Sequence, residues 1–396
     1  MNKRVLLVNK FFYNRGGAEV VAINLEKELS SRGYEVGIFS MDYKNNLKIP
    51  NLFTATNVSF EKGLFEEIKF AQRVIGYGDI VQSFKNVLKE FDPQIVHLHN
   101  IHSYLSPVVA KLAKKHGCKV IWTLHDYKLL CPAYSCLNHG KVCEKCFNEK
   151  RHILFHQCMK KSFFPSVLAF IESKKWSRKK LEKYTDEFIC PSSFMATQMI
   201  KGGFNCEKIK VICNFVDPVK IKELTALGSC ARKGDYYAYI GRLSEEKGIE
   251  TLLSVAEKLP YKLKIAGDGP LMKMLSNKYK SPNIEFLGQL NAKEIADLLI
   301  KSKALVVPSE WYENNPLSVI EALCAGTPVI GSNIGGIPEL VNSDNGLIFE
   351  PGNQVELSDA IKSVLEKEYD YNKISLDSKS RFSSNVHFEK LEKSYV

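Results

Sequence analysis

The stretch 237–248, Tyr-Ala-Tyr-Ile-Gly-Arg-Leu-Ser-Glu-Glu-Lys-Gly, determines the fold class because three local signals follow one another in it. Its first four residues are aromatic or apolar, a composition that favours a buried strand. The glycines on either side of the charged part then indicate a turn, and a helical apolar pattern comes next. A strand, a turn and a helix in this order are typical of the βαβ units that build parallel sheets.

Short apolar runs of the same kind alternate with helical patterns along the whole chain. The predicted strands are 5–8, 36–40, 95–98, 120–124 and 188–190 in the first half, and 237–240, 263–266, 284–287, 304–307, 329–331 and 347–349 in the second. Two such sets predict an α/β protein with two Rossmann-like, doubly wound domains whose strand ends face a cleft. A length of 396 residues suits two domains, and we place the boundary within 214–234.

The composition excludes several classes of protein. The chain is 45% hydrophobic and 25% charged, which fits a globular protein and excludes a disordered chain, a collagen and a coiled coil. No apolar run reaches the ~18 residues that cross a bilayer. Asn9 and Lys10 interrupt the apolar run 5–8, so we interpret it as a strand rather than a signal peptide. An odd number of cysteines, eleven, does not suit a secreted disulfide framework, and we expect a cytoplasmic protein.

Charge and glycine at two predicted strand ends indicate anion binding. The formal net charge of +11 favours a partner that carries phosphate or another anionic surface. Gly16 and Gly17 precede a helix whose first N–H groups could bind an anion, although a plain turn fits them equally well. Arg242 and Lys247 could converge on one pyrophosphate, the first as a planar fork and the second as a point charge.

A third segment carries two carboxylates. Glu313 lies in a predicted loop and Glu321 in a helix that begins near Pro316. Carboxylates accept hydrogen bonds from hydroxyl-rich ligands such as ribose and sugars. Taken alone, the pair fits two solvated glutamates better.

Together these motifs resemble the retaining glycosyltransferases of family 4, which have the GT-B fold. The resemblance covers essentially the whole chain and is strongest over 239–351. It rests on Gly-Arg-Leu-x-x-Glu-Lys-Gly at 241–248, Gly-Asp-Gly-Pro at 267–270, Phe-Leu-Gly at 286–288 and Glu-x7-Glu-Ala-Leu-x-x-Gly-x-Pro-Val at 313–329.

The resemblance implies a domain plan and a reaction. The N-terminal acceptor-binding domain would be 1–213, with a cysteine-rich insertion at 131–158, and the donor-binding domain 214–380. The C-terminal helix, 381–396, would return to the N-terminal domain. The enzyme would move a hexose-type sugar from a UDP- or GDP-sugar to a saccharide hydroxyl with retention. We expect a same-face substitution that needs no divalent metal, because Arg242 and Lys247 would supply the charge stabilisation.

Individual roles also follow from the resemblance. Catalytic roles would fall on His125, Arg242, Lys247 and Glu313. Arg242 and Lys247 would hold the diphosphate, Glu313 would contact the donor sugar, and His125 would lie beside it. The other donor-binding positions would be Gly16, Gly17, Asn315, Leu317, Ser318 and Glu321, the last on the ribose. His97 and His99 lie at another predicted strand end, where acceptor contact and a structural role both fit.

Five cysteines cluster after His125. Cys131, Cys136, Cys143 and Cys146 follow a C-x4-C-x6-C-x2-C spacing, and Cys158 comes later. Close thiols in a reducing compartment favour a structural tetrahedral zinc site, for which we take the first four as ligands. Free thiols and a redox pair of Cys143 and Cys146 are the alternatives.

Much of the positive charge lies in the segment 141–185. It holds twelve Lys and Arg against four Glu, mixed with aromatic and aliphatic residues. This composition predicts a membrane-surface element, and a core helix with a solvated basic face is the alternative. We therefore expect a lipid-linked acceptor in surface polysaccharide synthesis and a peripheral position on the inner face of the membrane.

Three other functions fit parts of the sequence. A nicotinamide dehydrogenase needs a third small residue in its phosphate fingerprint, but Gly267-Asp268-Gly269 continues to Met272. A nucleic-acid-binding protein is disfavoured because neither an RNA-binding aromatic signature nor helix-turn-helix spacing accompanies the charge. A GT-B relative that acts as a nucleotide-sugar epimerase or a phosphorylase is the remaining alternative.

Overall fold

The computed structural model describes residues 3–58, 64–159, 161–228 and 233–396. The chain divides into two units. Unit 1 comprises Met1–His139, Cys143–Ile212 and Glu389–Val396, and unit 2 comprises Gly140–Val142 and Cys213–Phe388. Residues 229–232 of the predicted boundary segment, Cys230 among them, lie outside the described residues.

Unit 1 is built on a seven-stranded sheet. The first nine strands are β1 (Arg4–Val8), β2 (Glu35–Met41), β3 (Leu52–Ala55), β4 (Ile95–Leu98), β5 (Lys119–Thr123), β6 (Leu137–Asn138), β7 (Lys141–Val142), β8 (Glu187–Cys190) and β9 (Ile209–Val211). The sheet is parallel, in the order β3-β2-β1-β4-β5-β8-β9. Central strands are buried on both faces, as parallel sheets require, which explains their continuous apolar runs.

Helices flank this sheet. They begin where a continuous apolar run ends and apolar residues instead recur with a period of about 3.6. They are α1 (Gly17–Ser31), α2 (Leu64–Val74), α3 (Asp79–Phe91), α4 (Val108–His116), α5 (His152–His156), α6 (Phe163–Lys175), α7 (Arg178–Tyr184) and α8 (Ser193–Lys201). Short 3-10 turns occupy Lys145–Phe147 and Cys206–Lys208. The basic segment 141–185 therefore contributes three separate helices, α5, α6 and α7.

Unit 2 repeats the doubly wound plan. Its six parallel strands are β10 (Tyr236–Ile240), β11 (Lys262–Ala266), β12 (Ile284–Gly288), β13 (Leu305–Val307), β14 (Val329–Ser332) and β15 (Gly346–Phe349), in the order β12-β11-β10-β13-β14-β15. Its helices are α9 (Pro218–Gly228), α10 (Ile249–Ala256), α11 (Met272–Lys278), α12 (Ala292–Lys301), α13 (Leu317–Cys324), α14 (Gln354–Glu366) and α15 (Tyr371–Arg381), with 3-10 turns at Glu245–Lys247 and Ile337–Glu339. The predicted α/β class with parallel sheets is confirmed.

The last helix, α16 (Ser384–Tyr395), carries the chain back into unit 1, which includes Glu389–Val396. The Tyr395 side chain is buried there, with its hydroxyl 2.7 Å from Nδ1 of His97. Lys3 Nζ donates to the carbonyl of Tyr395 at 3.1 Å. Among the helices in the described ranges, none is both long and apolar enough to cross a membrane.

Candidate active site

In unit 2 the loops after β10 and β13 meet at the point where the strand order reverses. These strands are neighbours in the sheet, although β11 and β12 lie between them in sequence. Open α/β sheets bind ligands at such a switch point, beyond the carboxyl ends of the strands. Lys247, at the end of the turn after β10, reaches Glu313, in the loop after β13, with 2.6 Å between Nζ and Oε1.

Glu313 is buried, and one oxygen of its carboxylate accepts from three donors. Ser309 Oγ donates to Oε1 at 2.6 Å and Trp311 Nε1 donates to the same oxygen at 3.0 Å, in addition to Lys247. Burial raises the pKa of Glu313, but the Lys247 charge and these three hydrogen bonds outweigh burial and lower it. The carboxylate therefore stays ionised and holds the ammonium in place.

Two glycines allow these loops to approach backbone to backbone. Gly248 has φ +63°, and a Cβ there would lie 1.9 Å from the Pro308 carbonyl oxygen. Gly335 has φ +62°, and a Cβ there would lie 2.1 Å from the Glu313 carbonyl oxygen. The Gly336 N–H donates to that oxygen at 2.7 Å. Gly335 and Gly336 are not among the residues predicted from the sequence, although a glycine pair shortly after the predicted strand 329–331 is a signal for a turn.

Arg242 lies on the same loop as Lys247 but faces solvent. Its backbone is fixed, since the buried Tyr239 hydroxyl donates to the Arg242 carbonyl at 2.8 Å. The guanidinium is thus exposed on an anchored loop, where it can meet an anionic ligand.

The remaining predicted donor residues surround the start of α13. Pro316 is the N-cap and makes no side-chain capping bond, and the side chains of Leu317 and Ser318 are half-buried. The first N–H groups of a helix have no partner within the helix, so they point outward as potential anion donors. This arrangement suits the donor-binding role that the family resemblance implies for Leu317 and Ser318.

Asn315 and Glu321 already have protein partners. Oδ1 of the buried Asn315 accepts from the Asn214 N–H at 3.0 Å, and the Asn214 side chain donates to the Asn315 carbonyl at 2.9 Å. Glu321 Oε1 lies 2.6 Å from Lys220 Nζ, an ion pair that the sequence analysis missed. A ribose hydroxyl that bound Glu321, as the family resemblance implies, would share its carboxylate with that ammonium.

Unit 1 places two imidazoles at neighbouring strand ends. His99 follows β4 and His125 follows β5, with Nδ1 of the first 3.0 Å from Nε2 of the second. The rings stack at 5.3 Å. Burial lowers the pKa of His125 to about 4, so it is neutral near pH 7. In this contact one nitrogen donates and the other accepts, so the contact constrains the tautomer of His125.

His97 has a different environment from its neighbour. Its Nε2 lies 2.7 Å from Thr123 Oγ1, and its Nδ1 contacts the Tyr395 hydroxyl. The two ring nitrogens thus connect β4 to two other elements, Nε2 to β5 and Nδ1 to α16. These contacts favour a structural role for His97, and the contact with His125 places His99 nearer the predicted chemistry.

Gly16 and Gly17 open α1. Gly16 is the N-cap, with extended backbone, and both glycines are exposed. A Cβ at Gly17 would meet no atom within 4 Å, so the packing of the described residues does not require glycine there. Open space at a helix N-terminus is what close approach of an anionic ligand needs.

The predicted zinc ligands lie close together, but not as a metal site. Cys131 makes side-chain hydrogen bonds with Cys136 and Cys146, which lower the pKa of Cys131 and raise those of the other two. Within the described residues, which include Cys143 and Cys158, no group of three or more His, Cys, Asp or Glu side chains is arranged to hold a metal ion. Both of these thiol contacts involve Cys131. A zinc site at these cysteines stays a prediction.

Two family models match the chain. The one described as Glycosyltransferase Family 4 matches residues 15–220, and the one described as Glycosyl transferases group 1 matches residues 230–381. A relative from Klebsiella pneumoniae, an uncharacterized 42.6 kDa protein in the cps region, is 27% identical over 395 residues, which cover 92% of this chain and 96% of the relative.

Solved structures show the same architecture. A lipopolysaccharide outer core galactosyltransferase superimposes with a TM-score of 0.66 at 19% identity over 99% of both chains. The Anabaena protein HepE in complex with UDP-glucose gives 0.67 at 17% identity over 98% of both chains. At these identities the likeness shows the fold. Since the family 4 model spans more than half of the chain, the chain belongs to glycosyltransferase family 4 and has the GT-B fold.

Proposed function

We propose that this glycosyltransferase moves a hexose-type sugar from a nucleotide-diphosphate sugar to a hydroxyl of a saccharide acceptor, with retention of configuration. The observation that carries the proposal is the partly buried Lys247–Glu313 pair at the switch point of unit 2, with 2.6 Å between Nζ and Oε1. Family membership supplies the reaction class. The pair supports a donor that carries both a diphosphate and a sugar.

Lys247 and Arg242 would stabilise the leaving nucleotide. When the bond between the anomeric carbon and the phosphate oxygen breaks, negative charge develops on the diphosphate. An ammonium that is already positioned stabilises that charge without reorganisation, and the guanidinium adds planar donors. Glu313 fixes the position of the ammonium through its hydrogen bond.

A same-face substitution accounts for retention without a protein nucleophile. The acceptor oxygen would form its bond to the anomeric carbon on the face that the phosphate leaves, and its proton would pass to the departing phosphate oxygen. Neutral His125 can donate or accept one hydrogen bond beside the sugar and adds no charge there.

The comparisons support a choice of substrates to test first. Because HepE is in complex with UDP-glucose, UDP-hexoses come before GDP-sugars in our order. The Klebsiella relative in the cps region and the lipopolysaccharide galactosyltransferase support a lipid-linked saccharide acceptor in surface polysaccharide synthesis. An acceptor of that kind would place the enzyme peripherally on the inner face of the membrane.

The test is a panel of UDP- and GDP-hexoses, assayed by donor hydrolysis and by thermal shift with purified protein. We expect one donor class to stabilise the wild type and to be hydrolysed, and Lys247→Ala to lose both effects. Lys258→Ala, an exposed lysine of unit 2, is the matched control and should behave like wild type. Donor binding that is equal in both variants would contradict the proposal.

Product analysis separates the alternatives of epimerase and phosphorylase. NMR of the first sugar product gives its anomeric configuration, and retention predicts the configuration of the donor. A released epimer of the nucleotide sugar would indicate an epimerase. A sugar phosphate formed only with inorganic phosphate would indicate a phosphorylase.

A further inference from the structure

Helix α6 of unit 1 exposes large apolar side chains and buries polar ones. Its buried residues are Ser166, Ala169 and Glu172. Phe164, in contrast, is 74% exposed, and Phe163 is 57% exposed. A surface helix normally buries its apolar stripe and exposes its polar one. The two phenylalanines at the start of α6 therefore lie at the surface, whereas Ala169 is buried and Val167, Leu168 and Phe170 are half-buried.

A polar network fixes this orientation. Glu172 accepts from the Ser103 N–H at 2.7 Å and from Ser103 Oγ at 2.9 Å, and it forms an ion pair with Lys128, whose Nζ lies at 3.0 Å. The Lys128 charge overcomes the effect of burial and lowers the pKa of Glu172. Rotating the helix to bury its phenylalanines would separate the Glu172 carboxylate from the Lys128 ammonium. The free energy lost by breaking this buried ion pair would exceed the free energy gained by burying the phenylalanines.

Further apolar side chains extend the exposed face. Ile171, two turns after Phe164, is 40% exposed, and Phe155, on the neighbouring helix α5, is 74% exposed. Helix α5 packs against α6. We call Phe155, Phe163, Phe164 and Ile171 the phenylalanine surface.

Cationic side chains lie close in sequence to this surface, at the end of α6 and the start of α7. Lys174, Arg178 and Lys179 are exposed there. A cavity of about 520 Å³ also begins at the end of α6, with an apolar floor that includes Val108 and Trp176. Its basic lining residues are Lys85, Lys111, Lys115, His116 and Lys175, and none of its described lining residues is acidic.

We propose that the phenylalanine surface inserts into an anionic lipid bilayer, with the cations of α6, α7 and this cavity on the headgroup phosphates. Aromatic side chains beside lysines are the combination that binds interfacial lipid, because apolar burial and electrostatic attraction add. A second copy of the chain would leave the like-charged residues facing one another. This inference deepens the proposed function, which supplies the lipid-linked acceptor, but its test does not use turnover.

The test is co-sedimentation of the full chain with vesicles of phosphatidylcholine alone or mixed with phosphatidylglycerol. The wild type should bind the mixed vesicles and bind phosphatidylcholine weakly. The double variant Phe163→Ser, Phe164→Ser should lose ~10-fold or more in partitioning. The double variant Val355→Ser, Leu376→Ser is matched, since those side chains of unit 2 are 71% and 69% exposed, and it should bind normally.

Charge variants and solution size complete the experiment. Lys174→Gln with Lys179→Gln should lose most of the preference for anionic lipid, while Lys247→Ala should bind vesicles normally even though it loses donor processing. The phenylalanine variants should still hydrolyse donor in solution. Wild-type indifference to both vesicle types would overturn the proposal. So would a dimer that only the phenylalanine variants dissociate, which would assign the surface to a second copy.

Discussion

The two sheets hold different chemistry beyond the carboxyl ends of their strands. In unit 2 the loops after β10 and β13 hold an ion pair, Lys247 and Glu313, whose carboxylate is kept ionised. In unit 1 the ends of β4 and β5 hold two imidazoles, and burial keeps His125 neutral. One fold plan thus supports an ion pair in one sheet and a neutral imidazole in the other. The difference teaches that the topology selects the place and the loop residues select the chemistry.

Removing the cation of unit 2 should have the largest effect. Lys247→Ala should lower kcat by ~10³-fold or more, because the leaving diphosphate loses an ammonium positioned in advance. Steady-state kinetics with the donor found in the panel measure it. Lys247→Arg should recover part of the rate, since the charge returns with a different shape. Near-normal turnover of the alanine variant would remove the contrast between the two sites.

Neutralising Glu313, the partner of Lys247, should have the second-largest effect on turnover. Glu313→Gln keeps the shape but leaves Lys247 without its carboxylate, so we expect ~10²-fold slower turnover. The pair should contribute about 2 kcal/mol of stability or less, since Lys247 is 25% exposed. Kinetics and urea unfolding at neutral pH measure both effects, and unchanged values in both would contradict a fixed ion pair.

The same variant makes a pH prediction. The lowered pKa of Glu313 means that its contribution to the free energy of unfolding is present above the ordinary glutamate pKa. It is lost as the pH falls through the lowered folded-state value. Wild-type stability should therefore drop more steeply than that of Glu313→Gln on acidification, and parallel curves would contradict the prediction. Glu172 titrates in both proteins and cancels in the comparison.

Replacing His125 of unit 1 should slow the reaction less than either change in unit 2. His125→Ala should slow transfer by ~10- to 10²-fold, with its effect on kcat rather than on donor binding. Because burial lowers its pKa to about 4, the NMR signals of His125 should not titrate between pH 8 and pH 6. A midpoint near the ordinary histidine value of 6.5 would show that unit 1, too, carries charge at its strand ends.

Metal content gives the last test of the contrast. A zinc ion on the cysteines that follow His125 would add a charged site to unit 1, because cysteine binds zinc as the thiolate. The cysteine spacing predicts about one zinc per chain, whereas the thiol contacts of Cys131 do not form a metal site. Elemental analysis of protein purified without a His tag decides between them. A stoichiometry near zero would end the zinc prediction and leave the contrast intact.

The sequence was sufficient where one strand or one local motif carries the signal. Buried central strands such as β1 and β10 appear as continuous apolar runs, so the α/β class followed from them. The edge strands β3 and β9 were missed because they are short, and β9 has exposed residues and a lysine within it. Periodicity detects burial, and edge strands are the least buried strands of a sheet.

Contacts between distant segments could not be predicted. Lys247 and Glu313 were both named from motifs, but their ion pair depends on β10 and β13 being neighbours. The pairing of Glu321 with Lys220 joins α13 to α9, and no spacing rule connects those two positions. Ser309 and Trp311, which donate to Glu313, were missed for a related reason, since serine and tryptophan are unremarkable until a buried acceptor lies beside them.

The return of the chain end to unit 1 has a consequence for biosynthesis. Helix α16 completes a unit whose seven-stranded sheet lies within the first 212 positions. Ribosomes deliver a protein from its N-terminus, so the contact between Tyr395 and His97 can form only after residue 395 has been synthesised. A polypeptide that stops before Tyr395 would contain the seven strands of that sheet but not this contact, and we expect proteases to degrade it faster.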